Sequence, residues 1–597
     1  MGFFFVVLAF FLPGYLISLL LPRVRGLSER IGLSIATSIS FGVVVSVVFA
    51  VVRLPLAEAF FISSVIVSII LAMIARKKLS VIREEWRDAK KKEKAFVAAI
   101  FFLSILAGVF IALPHKGYPW AIHADEWWQI GTVQNVIEGK PLNTHPYLFN
   151  EFSNHKPGFS SYIAMVSRAA GIDPVEGWPL MPAINMFLVS FVGSLLLFGR
   201  TKRFSAGIAL PVFLVALRSS AYSLGWWFFV PSIFALFFTL VLFLSSSLWT
   251  KNLREFFWAC LVFGALALVY FPFAILSFLC FLPLFLKDLK ERWMKLSMCA
   301  GLLLLAAGGI YFGVSISPYR EFWRIASDIS LPSFLLQSEI VQAFFIPLSA
   351  TFHFAGTIGF FSTVPLLLFT LGIIGFFSLR SDRWAEGVRW GILWGTAIVL
   401  LGTVTGVSFL VFYQRSFYFL GIMIALSAAM GIVWITGTIR LFWDNRQLPA
   451  AWRSVVVFFF AATIVLFLFN GYFILPAGAG LYELVNRDDL AALRWLKENK
   501  YQFNGMAVVS NQSVGTILTP FTRLSSKVSF LTSQNAGALI NPAGLMVEEE
   551  GKCENKETML VDLGAGIVYA KKPQECPFLK EVYRNPSVFI YLYHAGK

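Results

Sequence analysis

Charged side chains are scarce in this chain: Asp, Glu, Lys and Arg make up 14% of its 597 residues, against about a quarter in soluble domains. With 58% hydrophobic residues and a mean hydropathy of +0.74, a soluble globular protein is excluded. Cysteine is scarce as well, at five residues, which excludes a disulfide-stapled scaffold. Cys260, Cys280 and Cys299 lie in or beside apolar stretches and read as packing residues. Cys553 and Cys576 lie in a polar tail and could pair there if the tail faces an oxidising compartment. No basic segment precedes the first apolar stretch; Arg23 and Arg25 follow it. This pattern argues against a cleaved signal peptide and for a first span with its N-terminus outside.

What the chain has in quantity is apolar stretches long enough to span a bilayer, about 14 of them at about 20 residues each. The fold class is therefore a polytopic α-helical membrane protein. The longest run is expected to divide into spans 257–271 and 272–286, turning near Pro272. The net charge of +16 does not signal nucleic acid, because 27 of the 49 Lys and Arg residues fall in seven short segments: 22–30, 76–94, 199–204, 249–256, 287–295, 380–389 and 440–453. Basic residues gather in cytoplasmic loops. Placing all seven inside gives one topology, a multi-pass cell-membrane protein with both termini outside.

Three outside segments are expected, at 115–176, 317–356 and 477–597. The last nearly balances its charge, 13 basic against 12 acidic, so it is no nucleic-acid platform. Its pattern predicts a small α/β domain, with a helix over 488–500 and strands over 506–510, 559–563, 567–570 and 589–593. Asn511-Gln512-Ser513 is a glycosylation sequon, consistent with an outside location. The domain division is 1–94, a three-span module with a basic loop; 95–476, the main membrane domain; and 477–597, the tail.

The first outside segment holds the polar residues that stand out. His123-Ala124-Asp125-Glu126-Trp127-Trp128 opens a stretch, 127–139, with apolar residues near helical spacing. Four of the six histidines, His115, His123, His145 and His155, fall in the same segment, as does Lys156 in His155-Lys156-Pro157-Gly158. An Asp at a helix start is often only a cap, but a cap explains one acidic residue and not this company. Polar clusters held at a membrane surface mark sites.

These residues resemble the GT-C membrane glycosyltransferases, a superfamily that includes protein O-mannosyltransferases, lipid A aminoarabinose transferase and the catalytic subunit of oligosaccharyltransferase. Its members carry Asp or Asp-Glu in the first large outside loop before an interfacial helix, matched here by Asp125-Glu126. Several have a Lys-Pro-Pro-like element, matched by His155-Lys156-Pro157-Gly158 with Gly for the second Pro. Many have a tail opening with a helix like Ala491-Ala492-Leu493-Arg494-Trp495-Leu496-Lys497-Glu498-Asn499. The resemblance covers the chain from about residue 95 onward and departs in two ways. The acidic loop follows the fourth span instead of the first, and the tail has no Trp-Trp-Asp-Tyr-Gly element, which argues against a sequon-selecting oligosaccharyltransferase.

The resemblance implies a sugar donor on polyprenyl or dolichyl phosphate and a lipid, glycan or protein acceptor. One carboxylate would act as base for the acceptor hydroxyl: Asp125, with Glu126 as alternative or partner. Cations would hold the lipid phosphate: Lys156 first, then Arg415 in Phe412-Tyr413-Gln414-Arg415, which reads equally as a snorkelling anchor, then Arg320 and Arg324. His123, His145 and His155 are candidate substrate or metal ligands. They leave room for Mg2+ or Mn2+, although their spacing matches no defined motif. The competing reading is a transporter or lipid-linked sugar flippase, which would place charge at mid-membrane and repeat its halves. The spans are nearly free of charge and no repeat is visible.

Overall fold

The structure is a computed structural model. It describes residues 11–21, 24, 26–78, 87, 89, 91–113, 120–147, 156–217, 225–246, 253–287, 345–347, 366–379, 382–405, 407–409, 413–446, 485–503, 505–527 and 553–594. The expected spans 296–315 and 453–474, and nearly all of segment 317–356, lie outside the described residues. The chain divides into two compact units.

The first unit comprises Met1–Pro114, Lys156–Ala170 and Leu180–Pro476. Its helices are α1 (Leu12–Leu20), α2 (Leu27–Val51), α3 (Leu56–Ala75) and α4 (Lys91–Ala112). After residues assigned to the second unit come α6 (Pro157–Ala170), α7 (Met181–Thr201), α8 (Phe204–Ala216), α9 (Pro231–Ser245), α10 (Leu253–Lys287), α11 (Leu366–Ser378), α12 (Arg383–Thr405) and α13 (Tyr413–Arg446). Seven helices among the described residues are long and apolar enough to cross a membrane, and α8, α9 and α11 are shorter apolar helices. The unit is that of a polytopic helical membrane protein. In α10 the helix breaks at Tyr270 (φ −155°, ψ 90°). This is where Pro272 removes a backbone donor and crowds the preceding turn.

The described residues of 1–94 pack into the first unit. Helix α2 packs against α1, α6, α7 and α10, and Trp258 of α10 donates its indole N–H to Thr37 Oγ1 at 2.6 Å. Glu29 on α2 and Arg200 on α7 form a buried ion pair at 2.6 Å, and Arg200 Nε donates to Leu244 O at 2.8 Å. Six buried Ser and Thr residues along α2, Ser28, Ser34, Thr37, Ser38, Ser40 and Ser46, keep it thin enough for close helix contacts. Gly14 of α1 donates its N–H to Ser38 Oγ at 2.8 Å.

The second unit comprises His115–His155, Gly171–Pro179 and Ala477–Lys597. The expected outside segment 115–176 is thus shared out: residues 157–170 form α6 within the first unit. The second unit contains α5 (Ala124–Ile137), α14 (Arg487–Glu498), α15 (Gln512–Thr522) and α16 (Cys553–Leu563). Its five-stranded sheet is built from β1 (Ala507–Val509), β2 (Ser525–Ser526), β3 (Ala565–Ala570), β4 (Leu579–Arg584) and β5 (Phe589–Tyr593). The strand order is β2-β1-β3-β5-β4, parallel on the β2-β1-β3 side and antiparallel from β3 onward. Residues 559–563, expected as a strand, belong to helix α16. Met559-Leu560-Val561 mimics a strand, yet burial follows helical spacing: Lys556 and Leu560 are buried and Leu563 packs on the same core, while Val561 is exposed. Cys553 at the start of α16 is disulfide-bonded to Cys576.

Candidate functional site

Helix α5 begins at its acidic pair, and its start is built from His123 and Glu126. His123 is the N-cap, with extended backbone, and its Nδ1 accepts the Asp125 N–H at 3.1 Å. Glu126 closes the capping box: its Oε2 accepts the N–H of Ile122 at 2.9 Å and of His123 at 3.2 Å. Its Oε1 accepts the Trp178 indole N–H at 3.1 Å, and the residue is 0% exposed. Both oxygens of Glu126 are thus committed to holding the turn.

Asp125 stands differently. It is the second residue of α5, not the cap, and its side chain is 34% exposed, with Oδ2 3.9 Å from His123 Nδ1. One helical turn on, Trp128 packs edge-on against His145 (centroids 4.9 Å apart) and tilted against Tyr147 (5.6 Å). Tyr147 is fully buried and donates its hydroxyl to Thr516 O at 3.0 Å. Burial, with the Asp125 carboxylate adding to it, holds that phenol well above its ordinary range. His145 is buried, its Nδ1 accepts the Tyr147 N–H at 3.1 Å, and burial pushes its imidazole down to about 4. It is a neutral packing residue at pH 7.

The far end of α5 is clasped by the tail. Arg523, in the left-handed region (φ 67°) just past α15, donates to both Glu138 oxygens at 2.7 Å, to Asn135 Oδ1 at 2.7 Å and to Gln134 Oε1 at 3.2 Å. Burial raises the Glu138 carboxyl, but the hydrogen bonds and charges of Arg523 and Lys140 together outweigh it and the net shift is downward. Gly131 lies in this contact, where a Cβ would sit 2.9 Å from Pro146 Cβ and 3.4 Å from Pro520. Within the same unit, Lys497 of α14 reaches Asp173 at 3.1 Å.

Within the first unit, the start of α6 carries the other candidates. Lys156 precedes α6, and its carbonyl accepts the Ser160 N–H at 3.1 Å. Burial pushes its ammonium down to about 8; the Tyr270 side chain works against the shift and the Arg415 guanidinium works with it. Arg415 lies over the Tyr270 ring, 5.9 Å from its centroid. Tyr270, at the break in α10, thus lies within electrostatic reach of two cations, Lys156 just before α6 and Arg415 on α13. Gly158 explains a departure from the Lys-Pro-Pro pattern: a Cβ there would lie 2.8 Å from the Leu268 backbone.

The structure accordingly brings Lys156 and Arg415 together within one unit, and Asp125, Glu126, His123 and His145 together within the other. Arg320, Arg324 and His155 lie outside the described residues. Among the described residues no three His, Cys, Asp or Glu side chains gather as metal ligands. The Nδ1 atoms of both His123 and His145 already accept backbone N–H groups. Neither of these two Nδ1 atoms is therefore available to a metal ion. Trp128, Tyr147, Tyr270 and Arg523 were not singled out by the sequence. Trp128 carried a usable signal, its position three residues from Asp125 on a helix; Arg523 carried none.

No protein-family model and no curated protein matches the chain in sequence. Among solved structures it is similar to the archaeal oligosaccharyltransferase AglB from Archaeoglobus fulgidus in complex with an inhibitory peptide and a dolichol-phosphate, with a TM-score of 0.49 and 12% identity over 81% of this chain and 70% of that one. A second structure is the Archaeoglobus fulgidus oligosaccharyltransferase tethered to an acceptor peptide containing the NVT sequon. It matches with a TM-score of 0.48 and 15% identity over 80% and 69% of the two chains.

Proposed function

We propose that the protein is an integral membrane glycosyltransferase that moves a sugar from a polyprenyl- or dolichyl-phosphate carrier to an acceptor hydroxyl at the outer face of a cell membrane. The observation that carries this reading is the contrast within the acidic pair. Glu126 is buried and holds the start of α5, whereas Asp125 on the same turn presents its carboxylate at the surface. In the reaction the acceptor oxygen attacks the anomeric carbon as its proton passes to Asp125. The bond from that carbon to the phosphate oxygen breaks, and configuration inverts. The phosphate is a good leaving group, so no paired general acid is required. Lys156 and Arg415 hold the anionic phosphate and offset the charge that develops on it. In this reading Glu126 positions Asp125 and does not take the proton.

The test is transfer of labelled sugar from a panel of polyprenyl-phosphate donors by the full-length protein in lipid, wild type against Asp125→Asn. A general base contributes about 100-fold or more, so the variant should lose at least that factor with its melting temperature unchanged. Equal transfer by the variant would remove Asp125 from the chemistry. A folded wild type that moves lipid-linked sugar across the bilayer but transfers none would favour the flippase.

A further inference from the structure

We infer that Trp128 is the stacking wall for a hexopyranose ring, which it presents to the Asp125 carboxylate. The inference rests on the glycosyl-transfer reading and names the residue that recognises the sugar.

The tryptophans on and around α5 divide by role. Trp127 is 0% exposed and donates its indole N–H to Ala121 O at 3.1 Å; Trp178 is 0% exposed and donates to Glu126; Trp120 is buried beside Phe521. Trp128 is partly exposed, and its indole N–H makes no hydrogen bond among the described residues. Positions 125 and 128 lie on one helix face, so the indole and the partly exposed Asp125 carboxylate are neighbours.

Two rings set the indole's orientation without competing for a ligand. His145 is buried, with its Nδ1 occupied by the Tyr147 N–H, and the Tyr147 hydroxyl is bonded to Thr516 O. The result is an uncharged aromatic face beside an anion and a spare N–H donor. A pyranose matches this pattern, with an apolar C–H face for the ring and hydroxyls for the carboxylate and the N–H. A tryptophan that merely anchors the chain at headgroup depth has no need of two rings to fix its plane. The same chemistry would recognise the donor's sugar or a sugar on the acceptor.

Saturation-transfer NMR tests the wall apart from turnover. The full-length protein in lipid nanodiscs is probed with methyl glucopyranoside, mannopyranoside and galactopyranoside, comparing wild type, Trp128→Phe and Trp128→Leu. Binding by wild type that survives in the phenylalanine variant and falls about fivefold or more in the leucine variant supports the wall. Equal binding by the leucine variant, or none by wild type to any of the three, overturns it. In the transfer assay a raised KM for donor or for acceptor assigns the ring to that substrate. Unchanged KM values for both, with Asp125→Asn inactive, overturn the wall and leave the transferase standing. Sugar binding that needs Trp128, with no transfer from any donor by folded wild type, leaves the wall standing and overturns the transferase.

Discussion

Two adjacent carboxylates with opposite surroundings give the sharpest residue-scale test. Glu126→Gln keeps one acceptor oxygen but turns an NH2 group toward N–H donors from Ile122, His123 and Trp178. Leaving buried donors unmet costs about 1–3 kcal/mol, so this variant should melt several degrees lower. Asp125→Asn should melt as wild type does, because its carboxylate holds none of these donors. His145 adds a pH dependence. Its folded value near 4 lies below the ordinary 6.5, so the unfolded chain binds the proton more readily between those values. The stability this gives is fully present above pH 6.5 and is lost as pH falls toward 4, by up to about 3 kcal/mol. Thermal melts from pH 7 to 4 should show that loss, and His145→Gln should flatten it.

At the scale of elements, α5 is held at both ends: by its own capping box at the start, and at its end by Arg523 from beyond α15. Arg523→Gln removes both bonds to Glu138. Hydrogen exchange along 132–138 should quicken by roughly tenfold or more, the equivalent of about 1.4 kcal/mol, and transfer should fall with it. The disulfide between Cys553 and Cys576 closes a loop across 23 positions. Chain entropy assigns such a closure about 3 kcal/mol, so Cys553→Ser should lower the melting temperature of the tail.

Elements like these show what the sequence could and could not disclose. The start of α5 was legible to within three residues because His123 and the Asp-Glu pair mark a helix N-terminus. The break in α10 was legible because Pro272 acts locally. Helix α16 was misread because three successive apolar residues fit either period, and only its packing on β3 decides. Strand β4, none of whose residues is buried, shows no apolar alternation for a sequence to display. The Arg523 clamp joins positions 385 residues apart in sequence, and nothing local announces such a contact.

On the scale of the whole molecule, residues 1–94 read from sequence as an added module, whereas packing ties them to the rest of the first unit. The buried Glu29–Arg200 pair joins α2 to α7, and the electrostatic reach of Arg200 extends to Glu255 on α10 and to Asp382 beside α12. Removing one partner of a buried pair leaves an uncompensated charge and costs about 3–5 kcal/mol, whereas removing both is often nearly neutral. Arg200→Met should therefore sharply lower the melting temperature of the protein in detergent, and adding Glu29→Gln should recover part of the loss. Trp258→Phe, which breaks the bond to Thr37 and trims a buried ring, should cost less, about 2 kcal/mol. A chain trimmed to 95–597 loses α1, α2 and α3 together and uncovers the faces of α6, α7 and α10 that α2 covers. It should elute as an aggregate on size-exclusion chromatography. A trimmed chain that instead eluted as a single species with a cooperative melt would show that the first three helices are a separable attachment, whatever they contact.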